Sequence, residues 1–569
     1  MNRWLVLVTT LFVAAILGLV TARTPSPLAA NAPADQFSAG RAMADVRIIA
    51  REPHPVGTAA NAAAREHVAE RLRGLGFSVR LVSVPLPERA ARGLQKWGGN
   101  PRALATSIVA LRPGRDPAAP AVAVMAHHDS VWGSPGAADD AAGVASALEI
   151  ARAIPRDSQA RDLVLLITDG EELGLVGAKA FFADGIKGDP LASRIGAVVD
   201  LESRGGGGRA MMFETGPRNG AMIDLFSRSV HNPAANSLAV KIYELLPNST
   251  DFTPAKKRGL PGFNFAFLGD PQFYHSPKAT PDALDQGSLQ HIGGQALDIT
   301  RALVTAPALP AANPDVVFSD VFGLFVIAYP SWVGWLFIAA IAGLVVYAAR
   351  QRRVDWRWGQ VAAAMLDGVV FVAAAGVLLY GGNLLSGADG PTNYYDRLAA
   401  IPRLEIQALL LFAAGGALTM ALIPMRRGRF DGWLGLGLLN LLMVLAVQLL
   451  LPAGGPVLAW PLLLAALAMA FAAATGAVVL PPALAAALGL AFVGGFAHFV
   501  LLGVGPTSPS AIAVLAPLAA LLVWPLLPRP PRRTLLLAAL VLIIGGAALA
   551  LWVRLDPIAD TVPPYNPRG

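Results

Sequence analysis

The chain has 569 residues, a formal net charge of +7 and no cysteine. The lack of cysteine excludes disulfides, thiolate metal ligands and a cysteine nucleophile. Hydrophobic residues make up 54% of the sequence and charged residues only 15%. This is too apolar for an ordinary soluble protein, so we expect part of the chain to lie in a lipid bilayer. The sequence has no basic face with interleaved aromatic residues, which argues against nucleic-acid binding.

The chain opens with a predicted membrane segment over residues 1–25. Met1-Asn2-Arg3 precedes an uncharged apolar run from Trp4 to about Thr21, and a run of this length fits a membrane span. The pattern predicts a signal anchor. The small residues Ala29-Ala30-Asn31-Ala32 leave a cleaved signal peptide as the alternative, and in both cases the following segment is exported.

Residues 36–305 alternate helical and strand-like patterns, which predicts an α/β domain. Short apolar runs at 121–126, 163–168 and 195–201 are typical of buried strands, and helical patterns lie between them. A linker rich in proline and alanine, residues 306–316, ends this domain.

Residues 317–555 are predicted to form a polytopic α-helical membrane domain, followed by a C-terminal tail at 556–569. They hold eight apolar runs of about twenty residues, each long enough to cross a bilayer. The runs lie at about 329–349, 360–382, 404–424, 432–452, 457–477, 481–503, 510–528 and 534–553.

Arginines in alternate loops indicate the orientation of these spans. They follow the first, third and seventh C-terminal runs: Arg350, Arg352, Arg353, Arg357, Arg426, Arg427, Arg429, Arg529, Arg532 and Arg533. The positive-inside rule places Met1 inside and both residues 30–310 and the tail outside, with Arg397 and Arg403 as exceptions. The bias toward Ala, Gly and Arg favours a bacterial inner membrane with the α/β domain in the periplasm. An organelle membrane with a lumenal domain is the alternative.

Residues with metal-binding side chains follow several predicted strands. His127 ends one apolar run, and Asp139 lies twelve residues further on. Glu171 and Glu172 come just after the next run, and Glu202 follows the third. Side chains at the ends of parallel strands meet at one edge of a sheet. Imidazole and carboxylate donors with a further carboxylate as base are what a hydrolytic zinc site requires.

Two of these positions have two candidates each. In His127-His128-Asp129, the His-x-Asp spacing favours His127 because Asp129 can then hold its imidazole. In Asp200-Leu201-Glu202, either carboxylate is a possible ligand. A further histidine, His275, lies in the loop Tyr274-His275-Ser276-Pro277.

Together these motifs resemble metallopeptidase family 28, the aminopeptidase Y type. The resemblance rests on His127-x-Asp129, Pro135-Gly136-Ala137-x-Asp139-Asp140, Asp169-Gly170-Glu171-Glu172-x-Gly174 and Tyr274-His275-Ser276. Three features resemble its membrane-bound branch, the endoplasmic reticulum metallopeptidase and vacuolar membrane protease type: the series of spans, Arg51-Glu52-Pro53-His54-Pro55-x-Gly57 and, more weakly, Phe318-Ser319-Asp320-Val321-Phe322-Gly323. The resemblance implies a three-layer α/β/α zinc exopeptidase fold with a mixed sheet.

The resemblance also implies a site for two zinc ions. It assigns His127 and Glu202 to one ion, Glu172 and His275 to the other, and Asp139 as the bridge between them. It implies Glu171 as general base, Asp129 as partner of His127 and Tyr274 as a hydrogen-bond donor to the tetrahedral intermediate. Family members often have Asp as the third-strand ligand; here Leu201-Glu202-Ser203-x-Gly205 resembles the membrane-bound branch and favours Glu202, with Asp200 structural.

We therefore predict a membrane-anchored zinc aminopeptidase with peptides as substrates. A water molecule activated by metal attacks the peptide bond, and Glu171 moves its proton. A glutaminyl-cyclase-like zinc acyltransferase is one alternative, which shares the fold and uses fewer metals. A non-catalytic peptide-binding domain of a transporter or assembly factor is another, although the presence of Glu171 disfavours it. A carboxypeptidase of the same superfamily is the third.

Overall fold

The computed structural model describes residues 2–184, 188–351, 356–390, 394–422 and 428–555. These residues form two compact units. The α/β unit comprises residues 23–328. The helical unit comprises residues 2–22, with helix α1 (Arg3–Ala22), and residues 329–555. The predicted tail at 556–569 and the loop arginines Arg352, Arg353, Arg426 and Arg427 lie outside the described residues.

A seven-stranded mixed sheet forms the centre of the α/β unit. Its strands are β1 (Ser78–Pro85), β2 (Leu104–Arg112), β3 (Ala121–His127), β4 (Leu163–Thr168), β5 (Ile195–Ser203), β6 (Met211–Thr215) and β7 (Gly262–Phe267). Their order is β1-β2-β4-β3-β5-β7-β6. The central strands β4, β3, β5 and β7 are parallel, and the outer strands pair antiparallel with their neighbours. A separate two-stranded ribbon, β8 (Val316–Val321) and β9 (Phe325–Pro330), follows later in the chain.

Helices cover both faces of the sheet. They are α2 (Ala39–Ile49), α3 (Ala59–Gly74), α4 (Glu88–Lys96), α5 (Gly143–Ala153), α6 (Val176–Phe181), α7 (Gly220–Ser229), α8 (Ser237–Leu245), α9 (Phe252–Lys257) and α10 (Gln286–Thr305). Strand side chains alternate between the faces. Val122 and Val124 pack with α2, α3, α5, α7 and α10, whereas Ala123 and Met125 pack with α6 and α9. This three-layer arrangement confirms the predicted α/β/α fold class.

The parallel strands β3, β4 and β5 end at the same edge of the sheet. His127 pairs with Thr168 of β4, and Met125 pairs with Asp200 of β5. Glu202 lies two residues beyond Asp200 and is therefore level with His127. All residues of β3 and β4 are buried, as expected for strands covered on both faces. The rigid strands thus fix the backbone from which the site residues project.

The helical unit consists of α1 together with helices that follow residue 332. These are α11 (Val333–Arg350), α12 (Trp358–Asn383), α13 (Tyr394–Ala399), α14 (Ile401–Leu422), α15 (Arg429–Leu450), α16 (Gly455–Thr475), α17 (Leu480–Val504), α18 (Ala516–Val523) and α19 (Arg532–Leu555). Among the described residues, eight helices are long and apolar enough to cross a membrane: α1, α11, α12, α14, α15, α16, α17 and α19. The chain is an integral membrane protein.

The seventh predicted run, 510–528, has a different local structure. Residues Pro509–Leu515 form a 3-10 helix, and the short α18 follows. Prolines at 506, 509, 517 and 525 account for this break, because proline has no N–H to donate to a helical carbonyl. A 3-10 helix rises about 2.0 Å per residue, so the two pieces together still extend roughly 26 Å.

Contacts with α12 indicate the path of this segment. Thr507 lies beside Asn383, Ala513 beside Gly376, and Pro517 beside Gly368. The segment therefore runs antiparallel to α12, a predicted span, over much of its length. Since roughly 26 Å approaches the thickness of the hydrocarbon core, we expect the segment to cross the membrane although it falls short of the length of a regular α-helical span.

Arg397, one of the two exceptions to the charge rule, has a structural explanation. Its buried guanidinium donates to the Pro506 carbonyl (3.0 Å), the Ser386 carbonyl (2.6 Å) and Asn383 Oδ1 (2.6 Å). These bonds fix the start of the 3-10 segment to the end of α12. The other exception, Arg403, stacks over the Trp552 ring at 3.8 Å. Both arginines thus have local partners, which explains their position in a loop predicted to lie outside.

If residues 509–523 cross the membrane, the described residues make nine crossings, so the start of α1 and the end of α19 lie on opposite sides. We therefore expect a reporter fused after Gly569 to be active only on the side opposite Met1. The measurement is a paired set of C-terminal fusions, one active in the cytoplasm and one active after export. A cytoplasmic location of both termini would show that this segment enters and leaves on the same side.

Candidate metal centre

Two groups of side chains at the carboxyl edge of the sheet share Asp139. In the first group, His127 Nε2 lies 3.2 Å from Asp139 Oδ1 and 3.9 Å from Glu202 Oε2. In the second, His275 Nε2 lies 3.3 Å from Asp139 Oδ2 and 3.2 Å from Glu172 Oε1. The two oxygens of one carboxylate thus face two different histidines. The structure brings together all five residues predicted as ligands.

Asp139 and Asp140 lie in the tight turn between β3 and α5. The backbone of Gly136 is left-handed, with φ 65°, at the start of this turn. Asp140 directs its side chain away from both groups, since it accepts hydrogen bonds from the N–H groups of His127 (3.2 Å) and Gly143 (2.9 Å). The turn is therefore tied back to the end of β3, and this tie places Asp139 between the two histidines.

Asp129 connects the end of β3 to the loop that carries the glutamates. Its carboxylate accepts hydrogen bonds from the N–H groups of Glu171 (3.2 Å) and Glu172 (3.3 Å). His127 Nδ1 lies 2.9 Å from the Asp129 carbonyl oxygen and 3.5 Å from its carboxylate. The imidazole is thus oriented mainly by the backbone of Asp129, while the carboxylate sets the position of both glutamates.

Replacing Asp129 with Asn is expected to weaken zinc binding by about 10- to 100-fold, the usual cost of losing a partner behind the metal ligands. The Asn side chain keeps one oxygen as an acceptor. Its NH2 group, however, faces an N–H of the Glu171–Glu172 loop and cannot accept that hydrogen bond. Zinc affinity, measured by competition with a chromogenic chelator, checks this expectation. Asp224→Asn on the exposed face of α7 is the matched control, and equal affinities in the two variants would contradict the expectation.

The two predicted catalytic residues, Tyr274 and Glu171, lie beside the two groups. The Tyr274 ring stacks on the His275 ring, with centroids 3.8 Å apart. His275 itself has a left-handed backbone, with φ 52°, a conformation that costs energy for a residue other than glycine. Burial raises the pKa of Glu171 well above its usual value; the charge of His127 opposes this shift, and the charge of Glu172 adds to it.

The structure distinguishes the candidates at the two ambiguous positions, His127 from His128 and Glu202 from Asp200. His128 Nε2 lies 3.1 Å from the Thr106 carbonyl oxygen, and its Nδ1 lies 3.4 Å from Asn61 Nδ2. Asp200 Oδ2 accepts the N–H of Phe252 at 3.0 Å. Neither side chain belongs to the two groups formed by the described residues. The geometry therefore favours His127 and Glu202.

The donor set fits zinc. Zinc bonds of about 2.0–2.2 Å place two ligands of a tetrahedral ion roughly 3.3–3.6 Å apart, close to the separations within each group. Glu202 Oε1 is buried and has no hydrogen-bond partner among the described residues. Burial, and next the neighbouring Glu171, raise the pKa of Glu202 well above its usual value. A cation at this position would supply the missing partner and offset the repulsion between these carboxylates.

Tyr243 on α8 was missed by sequence reasoning. Its hydroxyl is buried without a hydrogen-bond partner among the described residues, and its ring packs edge-to-face on Phe213 with centroids 4.7 Å apart. Burial raises the pKa of Tyr243, and the charges of Glu214, Glu202 and Glu171 add to this effect. An aromatic residue in a short amphipathic helix usually packs in the core. The sequence therefore contains no signal that distinguishes Tyr243 from an ordinary core residue.

The chain is similar to known peptidases over part of its length. Endoplasmic reticulum metallopeptidase 1 from Homo sapiens is 34% identical over 255 residues, which are 43% of this chain and 28% of that protein. Vacuolar membrane protease from Eremothecium gossypii is 26% identical over 300 residues, 50% of this chain and 29% of that protein. A solved zinc aminopeptidase from Bacillus subtilis aligns with 16% identity and a TM-score of 0.37, over 49% of this chain and 98% of its own.

The chain therefore matches less than a third of the length of these two curated relatives. The model of peptidase family M28 matches residues 107–300, the stretch that holds the five predicted ligands. This match confirms the family resemblance predicted from the motifs. The protein is an integral membrane protein that carries a peptidase M28 domain.

Proposed function

We propose that this protein is a membrane-anchored zinc aminopeptidase that removes N-terminal residues from peptides. The observation that carries the proposal is the position of Asp139, whose two carboxylate oxygens face two separate histidine–glutamate pairs. We propose two zinc ions, one with His127 and Glu202 and one with Glu172 and His275. The two curated relatives, named as a metallopeptidase and a protease, support hydrolysis as the reaction class.

When bound, zinc would polarise the scissile carbonyl and lower the pKa of a nucleophilic water molecule to about 7. The chain's own residues supply the proton transfer. The Glu171 carboxylate accepts the water proton and delivers it to the leaving amine. Asp129 holds the Glu171 backbone in position through the bond to its N–H.

The charge around the two groups favours a free amine as the bound end of the substrate. Glu214 and Asp200, two carboxylates outside the proposed ligand set, both raise the pKa of the Tyr243 hydroxyl. Carboxylates attract an ammonium group and repel a carboxylate. This argues for aminopeptidase rather than carboxypeptidase action. The second histidine–glutamate pair likewise argues against a glutaminyl-cyclase-like enzyme with fewer metals.

The purified zinc-loaded protein is tested with three substrates: an aminoacyl chromogenic amide, the same amide with an acetylated amine, and a peptide with N-terminal glutamine. We expect cleavage of the free-amine compound only, loss of cleavage with chelator, and recovery with added zinc. Cyclisation of the glutamine peptide without cleavage of the amide would establish the acyltransferase alternative. Cleavage of the acetylated compound alone would exclude an aminopeptidase.

We also propose that the M28 domain lies on the exported side of its membrane. Arg350 and Arg357, between α11 and α12, lie on the cytoplasmic side in this orientation, in agreement with the positive-inside rule. The names of the two relatives refer to the endoplasmic reticulum and to a vacuolar membrane. They agree with the lumenal alternative and give no support to the bacterial periplasm, which remains a prediction from composition. Digestion of the M28 domain by a protease added to sealed vesicles of known orientation tests on which side of the membrane the domain lies.

A further inference from the structure

The β8–β9 ribbon exposes an apolar tip that the proposed chemistry does not use. The side chains of Leu324, Phe325 and Ile327 are 73%, 51% and 38% exposed. No charged residue occurs from Val321 to Ala349, so the uncharged stretch begins well before α11. An exposed cluster of large apolar side chains indicates an interaction surface.

The base of the ribbon is held firmly by the start of α8. Asp320 N–H donates to the Ala235 carbonyl (2.8 Å), and Asp320 Oδ1 accepts the Ala235 N–H (3.1 Å). Asn236 Nδ2 donates to Ser319 Oγ at 3.0 Å, and Phe318 N–H donates to Ser237 Oγ at 3.2 Å. The Phe318 side chain is buried in the core of the α/β unit.

The tip itself is a tight turn beyond this base. Phe322 and Gly323 both have left-handed backbones, with φ 53° and 72°, and Leu324 N–H donates to the Val321 carbonyl at 3.0 Å. Asp320 Oδ2 accepts the Gly323 N–H at 2.8 Å. The Phe318–Gly323 motif therefore has a structural purpose: it fixes the ribbon to α8 and directs the apolar residues outward.

The ribbon is close along the chain to a membrane-spanning helix. β9 ends at Pro330, and α11, a membrane-spanning helix, begins at Val333. Trp332 and Trp335, at the start of this span, are 60% and 43% exposed, and tryptophan is enriched where a span meets the membrane surface. The last residue of the ribbon, Pro330, is thus three residues from the start of this span.

We propose that the tip of the ribbon, residues Leu324, Phe325 and Ile327, inserts into the lipid interface of the leaflet where α11 begins. The partner is the boundary between headgroups and acyl chains, which accepts aromatic and aliphatic side chains without a partner protein. The hydrogen bonds at the base of the ribbon hold it to the N-terminus of α8. The proposal does not depend on zinc or on peptidase activity.

The absence of native cysteine allows a direct test on the full-length chain in lipid nanodiscs. A Leu324→Cys variant is labelled with an environment-sensitive fluorophore, and Leu81→Cys, on the exposed edge strand β1, is the matched control. We expect nitroxide-labelled lipids to quench the label at position 324 several-fold more than the label at 81. Aqueous iodide is expected to quench the label at position 81 more than the label at position 324.

Two outcomes would overturn the proposal. Strong quenching by iodide at position 324, equal to that at position 81, would show that the tip lies in water. Protection of position 324 from both iodide and nitroxide lipids would show that a protein, such as a second copy of this chain, covers the tip instead.

Discussion

Replacing Glu171 with Gln is expected to lower kcat by about 10²- to 10⁴-fold, the range that a positioned general base contributes. The amide has nearly the same shape but cannot accept the proton of the attacking water. Glu171 belongs to neither group of ligands, and its backbone N–H still reaches Asp129. We therefore expect zinc content and thermal stability to stay at the wild-type level. The measurement is kcat on an aminoacyl amide, together with metal content by mass spectrometry.

The matched control is Glu66→Gln, at an exposed surface ion pair. Such pairs contribute little to stability, so kcat should not change in this variant. A Glu171→Gln protein with wild-type kcat would exclude Glu171 as the base. Loss of zinc from that variant would instead make Glu171 a ligand.

Replacing Asp139 with Asn is expected to abolish activity and to lower zinc content below that of any other single ligand variant. Asp139 is the one residue shared by the two groups among the described residues, so its loss weakens both positions. Glu202→Gln provides the comparison, because Glu202 contacts only the group of His127. We expect that variant to retain the ion held by Glu172 and His275. Metal content of the two purified variants, measured side by side, checks the expectation.

Equal zinc loss in the Asp139 and Glu202 variants would contradict a bridging role for Asp139. Circular dichroism of both proteins excludes unfolding as the cause. The comparison is sharp because both variants change one carboxylate to an amide of the same size.

The sheet and the candidate site could be predicted largely because the chemistry lies at strand ends. Buried parallel strands appear in the sequence as short apolar runs. His127 and Glu202 are therefore recognisable as polar residues at the ends of two such runs. The choice between His127 and His128 depends on side-chain direction, which the hydrogen bond from His128 to Thr106 decides. Sequence spacing contains no such information.

Features that depend on contacts between distant segments could not be predicted. The charge of Glu202 acts on Tyr243 only after α8 has packed against β6, and nothing in the local sequence marks Tyr243. The buried position of Arg397 depends on acceptors from Ser386 and Pro506. The 3-10 geometry of Pro509–Leu515 likewise replaced the regular helix that hydropathy predicted. Hydropathy reports that a segment prefers lipid, but prolines decide its hydrogen bonding.

The most direct test of the proposed two-zinc site is anomalous X-ray scattering from crystals of the zinc-loaded protein, recorded above and below the zinc absorption edge. Two peaks are expected, about 3.5–4 Å apart as in other two-metal hydrolytic sites. One peak should lie within bonding distance of His127 and Glu202, the other near Glu172 and His275, with Asp139 between them. A single peak, or two peaks that do not share Asp139, would contradict the account.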